Sequence, residues 1–134
     1  MSAHTDGPLR ALPWLLGLYA AATLAHFAHN GVYLHDYPNL PPQWSPAEVY
    51  AAWGVLSLLG LCGYLLYRTR QRGLGLALLA VYALAGFGGL LHYGRAPPAQ
   101  HSAAMNLTIC SEALAAALLL GDLTLIAVHK LKPA

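Results

Sequence analysis

Four uninterrupted apolar runs decide what this chain can become. They read "LRALPWLLGLYAAATLAHFAHN", "AEVYAAWGVLSLLGLCGYLLY", "LGLALLAVYALAGFGGLLHY" and "SAAMNLTICSEALAAALLLGDLTLIAV", over residues 9–30, 47–67, 74–93 and 102–128. A helix needs about 20 such residues to cross roughly 30 Å of hydrocarbon. In lipid a helix satisfies its own backbone donors and acceptors, whereas a barrel would need alternating strands of about ten residues. None of the four runs alternates. The expected fold is all-α: an integral membrane, antiparallel four-helix bundle in which residues 1–134 form one domain.

Composition leads to the same place. Charged residues make up 9% of the chain, against about 25% in soluble domains. So little polar surface calls for a lipid bilayer as the outer partner. The formal net charge of +2 and the lack of a long basic run exclude a nucleic-acid binder. The first run is too long for the core of a signal peptide. "AHNGVYLHDYP" comes after it rather than a small-residue cleavage pattern, so a retained helix is expected.

The basic residues orient the bundle. Arg10, Arg68, Arg70, Arg72, Lys130 and Lys132 fall on one side of an even-helix topology, and Arg95 alone on the other. Cytoplasmic loops carry the excess of Lys and Arg. Both termini are therefore expected in the cytoplasm, most simply at a bacterial inner (plasma) membrane. The segments "GVYLHDYPNLPPQWSP" and "GRAPPAQH" then face the periplasm. Their prolines predict stiff, extended backbone. Tyr33, Tyr37, Trp44, Tyr50 and Tyr93 mark the outer interface as an aromatic belt.

Local signals place helix starts and close contacts. "SPAE", Ser45 to Glu48, suits an N-cap, an N1 proline and the N3 glutamate of a capping box. Glu48 is first a helix cap and second a candidate ligand. Gly54, Gly60, Gly63, Gly86, Gly88 and Gly89 predict close helix packing, and can leave room beside the outer histidines. Cys62 and Cys110 differ in depth by about 10 Å at 1.5 Å per residue, too far for a disulfide. Both suit small apolar fillers, and Cys110 is also a candidate soft metal ligand.

The polar residues that lipid penalises converge. On the first helix Tyr19, Thr23, His26, Asn30 and Tyr33 share a stripe, with His29 about 60° to one side. On the fourth, His101, Met105, Thr108 and Glu112 share a face, with Asn106 beside it. With His92 ending the third helix and His35 in the loop, five of the seven histidines gather at the outer end. Glu112 lies roughly 15 Å inside its helix, so it needs a partner or must stay protonated. Asp122 is the second buried acid, expected to reach the interface or Arg68.

Two functions compete for these residues. In the first, His26, His29, His92 and Glu112 hold a transition metal (Cu, Zn or Fe) or haem, for metal handling or redox chemistry. Asn30, Glu48, His101, Met105, Asn106 and Cys110 are further candidates. In the second, no metal is present. His26 and Glu112 act as an acid/base pair on a lipophilic sterol-, isoprenoid- or quinone-like molecule. In general outline this resembles the emopamil-binding and sigma-2 type of small helical membrane protein. The likeness lies in several short helices with His, Glu and Asn inside. A third expectation is a non-catalytic subunit whose glycine-rich face meets a second copy or another membrane protein.

Overall fold

The computed structural model describes the backbone of residues 7–131 and the side chains of residues 11–129. The Arg10 and Lys130 side chains, and the whole of His4 and Lys132, lie outside the described residues. Five α-helices occur in order: α1 (Gly7–Val32), α2 (Pro46–Tyr67), α3 (Arg72–Ala85), α4 (His92–Arg95) and α5 (Ala103–Leu131). Short 3₁₀ turns stand at Leu34–Asp36, Gly88–Leu91 and Pro98–Gln100. No strand occurs among the described residues. Four stretches, Ala11–Val32, Pro46–Tyr67, Arg72–Arg95 and Ala103–His129, are long and apolar enough to cross a membrane.

α1 packs on α5 and α2, and α3 packs on α2 and α5, so the four long elements close into a bundle. Leu12, Tyr19, Leu79, Tyr82, Ala116 and Leu119 form the heart of its core. The Tyr19 hydroxyl donates to the Tyr82 carbonyl at 2.8 Å and so meets its hydrogen-bonding need inside the apolar interior. Outward stand Trp14, Val55, Leu58, Leu107 and Leu114. Exposed apolar side chains in this number are what lipid, rather than water, can cover.

Ser45 and Glu48 form the expected capping box at the start of α2. The Ser45 N–H donates to Glu48 Oε2 at 2.8 Å, and the Glu48 N–H donates to Ser45 Oγ at 3.4 Å. Glycines then let helices approach. A Cβ on Gly63 would meet the Leu79 backbone nitrogen at 3.0 Å, and one on Gly60 the Tyr82 ring at 2.6 Å. One on Gly75 would strike the Tyr67 backbone across the α2–α3 turn. Gly54 and Gly88, by contrast, have nothing near a Cβ.

The third apolar run departs from the single helix expected over residues 74–93. α3 stops at Ala85, and the chain continues through 3₁₀ turns into α4. The bonds tighten there, with the N–H groups of Gly86, Phe87 and Leu90 donating to Ala83, Leu84 and Phe87. Gly86, Gly88 and Gly89 weaken the α-helix at this point, since each glycine costs about 1 kcal/mol relative to alanine. Gly86 is also wedged in place: a Cβ there would meet Tyr19 at 2.6 Å and Ala116 at 2.7 Å. A 3₁₀ segment winds three residues per turn, which shifts the rotational phase of the residues beyond it. His92 emerges buried.

Candidate functional site

The two polar stripes face each other inside the bundle. On α1, Tyr19, Thr23, His26 and Asn30 are all buried, while Tyr33 lies past the helix and is half exposed. On α5, Met105 and Glu112 are buried, as is His101 just ahead of the helix. The stripes meet where His26 Nδ1 stands 3.5 Å from Glu112 Oε2. Side-chain hydrogen bonds to nitrogen run at about 2.7–3.2 Å, so this separation is too long for a good one. His26 Nδ1 indeed has no hydrogen-bond partner among the described residues.

Gly89 closes this pair from the 3₁₀ turn. A Cβ there would stand 3.0 Å from His26 Cε1 and 3.2 Å from Glu112 Oε2. The glycine that interrupts the third run is thus the one that lets the backbone lie against the pair. His92 then brings its ring to 5.7 Å from that of His26, centroid to centroid. Its Nε2 lies 3.4 Å from Asn30 Nδ2, while Asn30 Oδ1 has no hydrogen-bond partner among the described residues.

These groups wall a cavity of about 400 Å³. His26, Asn30, His92 and Glu112 supply its buried polar wall, and Phe27, Val49, Ala52 and Ala85 its apolar sides. Trp44, Glu48 and Arg95 stand at its exposed rim, where the Arg95 guanidinium lies 5.5 Å from the centre of the Trp44 ring. An apolar pocket with a few convergent polar groups is the usual form of a small-molecule site.

The remaining candidates lie elsewhere. His29 places Nδ1 3.0 Å from the Tyr37 hydroxyl and does not line the cavity. Its offset of about 60° from the α1 stripe is the physical reason. His101 sits against the Tyr37, His92 and Tyr93 rings, with Nδ1 3.2 Å from the Pro97 carbonyl. Met105 packs with Tyr37 and Ile109. Asn106 accepts from the Tyr93 hydroxyl at 2.8 Å, and the exposed Cys110 lies 3.6 Å from that same hydroxyl. Glu48 spends its carboxylate on the α2 cap. Among the described residues, no group of three or more His, Cys, Asp or Glu side chains is placed to hold a metal ion.

Tyr37 is the structural residue that sequence reading assigned only to the aromatic belt. It is buried, and its ring lies 4.8 Å from that of His92. Burial pushes its phenol above the ordinary range, so it stays protonated toward His29. The available signal was the spacing of Leu34 and Tyr37: residues three apart share a face of a 3₁₀ turn, and both are buried while His35 and Asp36 are exposed. Asp122 is buried with Oδ2 unpartnered among the described residues. Arg68, its expected partner, instead donates to the Tyr64 hydroxyl at 3.1 Å.

The fold is an all-helical bundle whose four long, apolar stretches suggest a membrane protein, with a mainly apolar cavity that carries a few buried polar groups. No protein-family model, curated protein or solved structure matches the chain.

Proposed function

We propose that the protein binds a lipophilic small molecule with a hydroxyl-bearing head in this cavity. In this reading the helices form an antiparallel bundle in the inner membrane, both termini are cytoplasmic, and the cavity lies at the periplasmic end. The observation that carries the proposal is a pair of orphaned groups on one wall, His26 Nδ1 and Asn30 Oδ1, beside Glu112. Each buried group left without a partner costs roughly 1–3 kcal/mol. A hydroxyl that enters beside the pair and displaces these side chains slightly can donate to Asn30 Oδ1, or bridge from one side the 3.5 Å between His26 and Glu112. One small polar group thus repairs what the protein leaves open.

The pair also supports proton transfer. His26 and Glu112 can exchange a proton with a hydroxyl held between them, which is the minimum equipment for acid/base chemistry on an apolar substrate. Asn30 and His92 would position the head. The same side chains are of the donor types that transition metals use, so the test reads for both.

Protein with Trp14 and Trp53 changed to Phe is reconstituted in nanodiscs and titrated with geraniol, with Trp44 emission as the signal, and its metal content is determined by elemental analysis. The expected result is a saturable emission change that disappears in Glu112→Gln and His26→Ala while helicity by circular dichroism is retained. Stoichiometric metal that both variants lose, with no saturable response to geraniol, would replace this reading with the metal one.

A further inference from the structure

A second groove lies along the same seam between α1 and α2. Gly17 and Ala20 of α1, Trp53, Ser57 and Leu61 of α2 and Tyr82 of α3 line its space of about 430 Å³. On α2 and α3 its lining follows closely on that of the first cavity. Ala52 lines the outer cavity and the next residue, Trp53, lines the groove. On α3 the corresponding residues are Ala85 and Tyr82, one turn apart. On α1 Ala20 and His26 are separated by about 9 Å along the axis. From His26 to Pro13, at the far end of the groove, the track runs about 20 Å. Its buried ionisable side chains, His26, His92 and Glu112, stand at one end only, and the groove beyond them is largely apolar.

That outline is the outline of an extended chain with one polar head. From it we infer that the ligand is a long-chain alcohol, with its hydroxyl beside His26, Asn30 and Glu112 and its chain in the groove beside Trp53. The inference rests on the reading of the outer cavity given above and names the ligand's class. The groove is open to substitution at one defined point: a Cβ on Gly17 would meet nothing within 4 Å.

The three tryptophans make the test direct. Trp44 reports on the outer cavity, Trp53 on the groove, and the lipid-facing Trp14, 82% exposed, on the surrounding bilayer. Proteins retaining one tryptophan each, the others changed to Phe, are placed in phosphatidylcholine nanodiscs. They are titrated with prenol, geraniol, farnesol and geranylgeraniol, with midpoints expressed per lipid. Prenol is expected to saturate a response at Trp44 and leave Trp53 unmoved. Geranylgeraniol is expected to move both at one midpoint. Gly17→Leu should abolish the Trp53 response while the Trp44 response to geraniol persists, and Ser57→Leu should do the same.

A saturable Trp44 response to geraniol, with no saturable Trp53 response to any chain, overturns the inference and leaves the outer site standing. No saturable Trp44 response to any of the alcohols removes both. Trp53 emission that rises in proportion to added alcohol, as at Trp14, means that bulk lipid fills the groove and also overturns it. So does Trp53 emission that tracks the number of protein copies per nanodisc, which would identify a second chain as the occupant.

Discussion

Replacing Gly89 by alanine perturbs the candidate site at its most crowded point. The new Cβ would lie 3.0 Å from His26 Cε1 and 3.2 Å from Glu112 Oε2. Optimal carbon contacts lie at about 3.5–4.0 Å, so His26, Glu112 or the turn must yield by a few tenths of an ångström. Overpacking of this kind costs typically about 1–3 kcal/mol. With one methyl and no contact below 3.0 Å, the lower end applies, about 1 kcal/mol of stability. Binding suffers more, because the methyl occupies the region a bridging hydroxyl would use. Loss of that bridge costs roughly 1–3 kcal/mol, which corresponds to a midpoint weaker by roughly fivefold to somewhat over a hundredfold. Gly94→Ala is the control, since a Cβ there meets nothing within 4 Å. Thermal melts and geraniol titrations on both variants separate the two effects. A Gly89→Ala protein that melts slightly earlier yet binds geraniol at the wild-type midpoint would refute the placement of the ligand head.

Other substitutions test the scaffold. Gly75→Ala drives a methyl into the Tyr67 backbone, which no rotamer change can relieve. It should therefore abolish a monodisperse folded product in size-exclusion chromatography, whereas Gly73→Ala, with open space around it, should not. Ser45→Ala removes the side-chain half of the α2 cap and should cost about 1 kcal/mol in a melt, while Glu48 keeps its bond to the backbone N–H of residue 45. Tyr37→Phe deletes the hydroxyl that meets His29 and should cost about 1 kcal/mol. Tyr37 does not line the outer cavity, so the geraniol midpoint should stay unchanged.

Much of the architecture was legible because lipid imposes simple rules. Apolar length alone located the four spans, and helical periodicity alone placed Tyr19, Thr23, His26 and Asn30 on one buried stripe and Met105 and Glu112 on another. Capping chemistry located the start of α2. What periodicity could not supply was the angular outcome of a broken helix. The 3₁₀ turn at Gly88–Leu91 resets the phase of His92, and a uniform α-helix has no such shift. Nor could it distinguish glycines in contact from glycines in open space: Gly89 and Gly88 are neighbours, yet only Gly89 touches the pair. His29 illustrates a further limit. Its two-histidine spacing with His26 suggested a shared ligand, but the offset that was visible in the sequence carries it to Tyr37.

The central claim is that a buried wall with unpaired His26 and Asn30 atoms awaits a hydroxyl, and comparing farnesol with its hydroxyl-free counterpart farnesene tests it most directly. Both are titrated into protein that keeps Trp44 as its only tryptophan, in nanodiscs, with midpoints per lipid read from its emission. Supplying a partner to one or more orphaned groups, at roughly 1–3 kcal/mol each, predicts a farnesol midpoint roughly fivefold or more below that of farnesene. Equal midpoints would contradict the account, because a pocket that ignores the hydroxyl does not use its polar wall to bind.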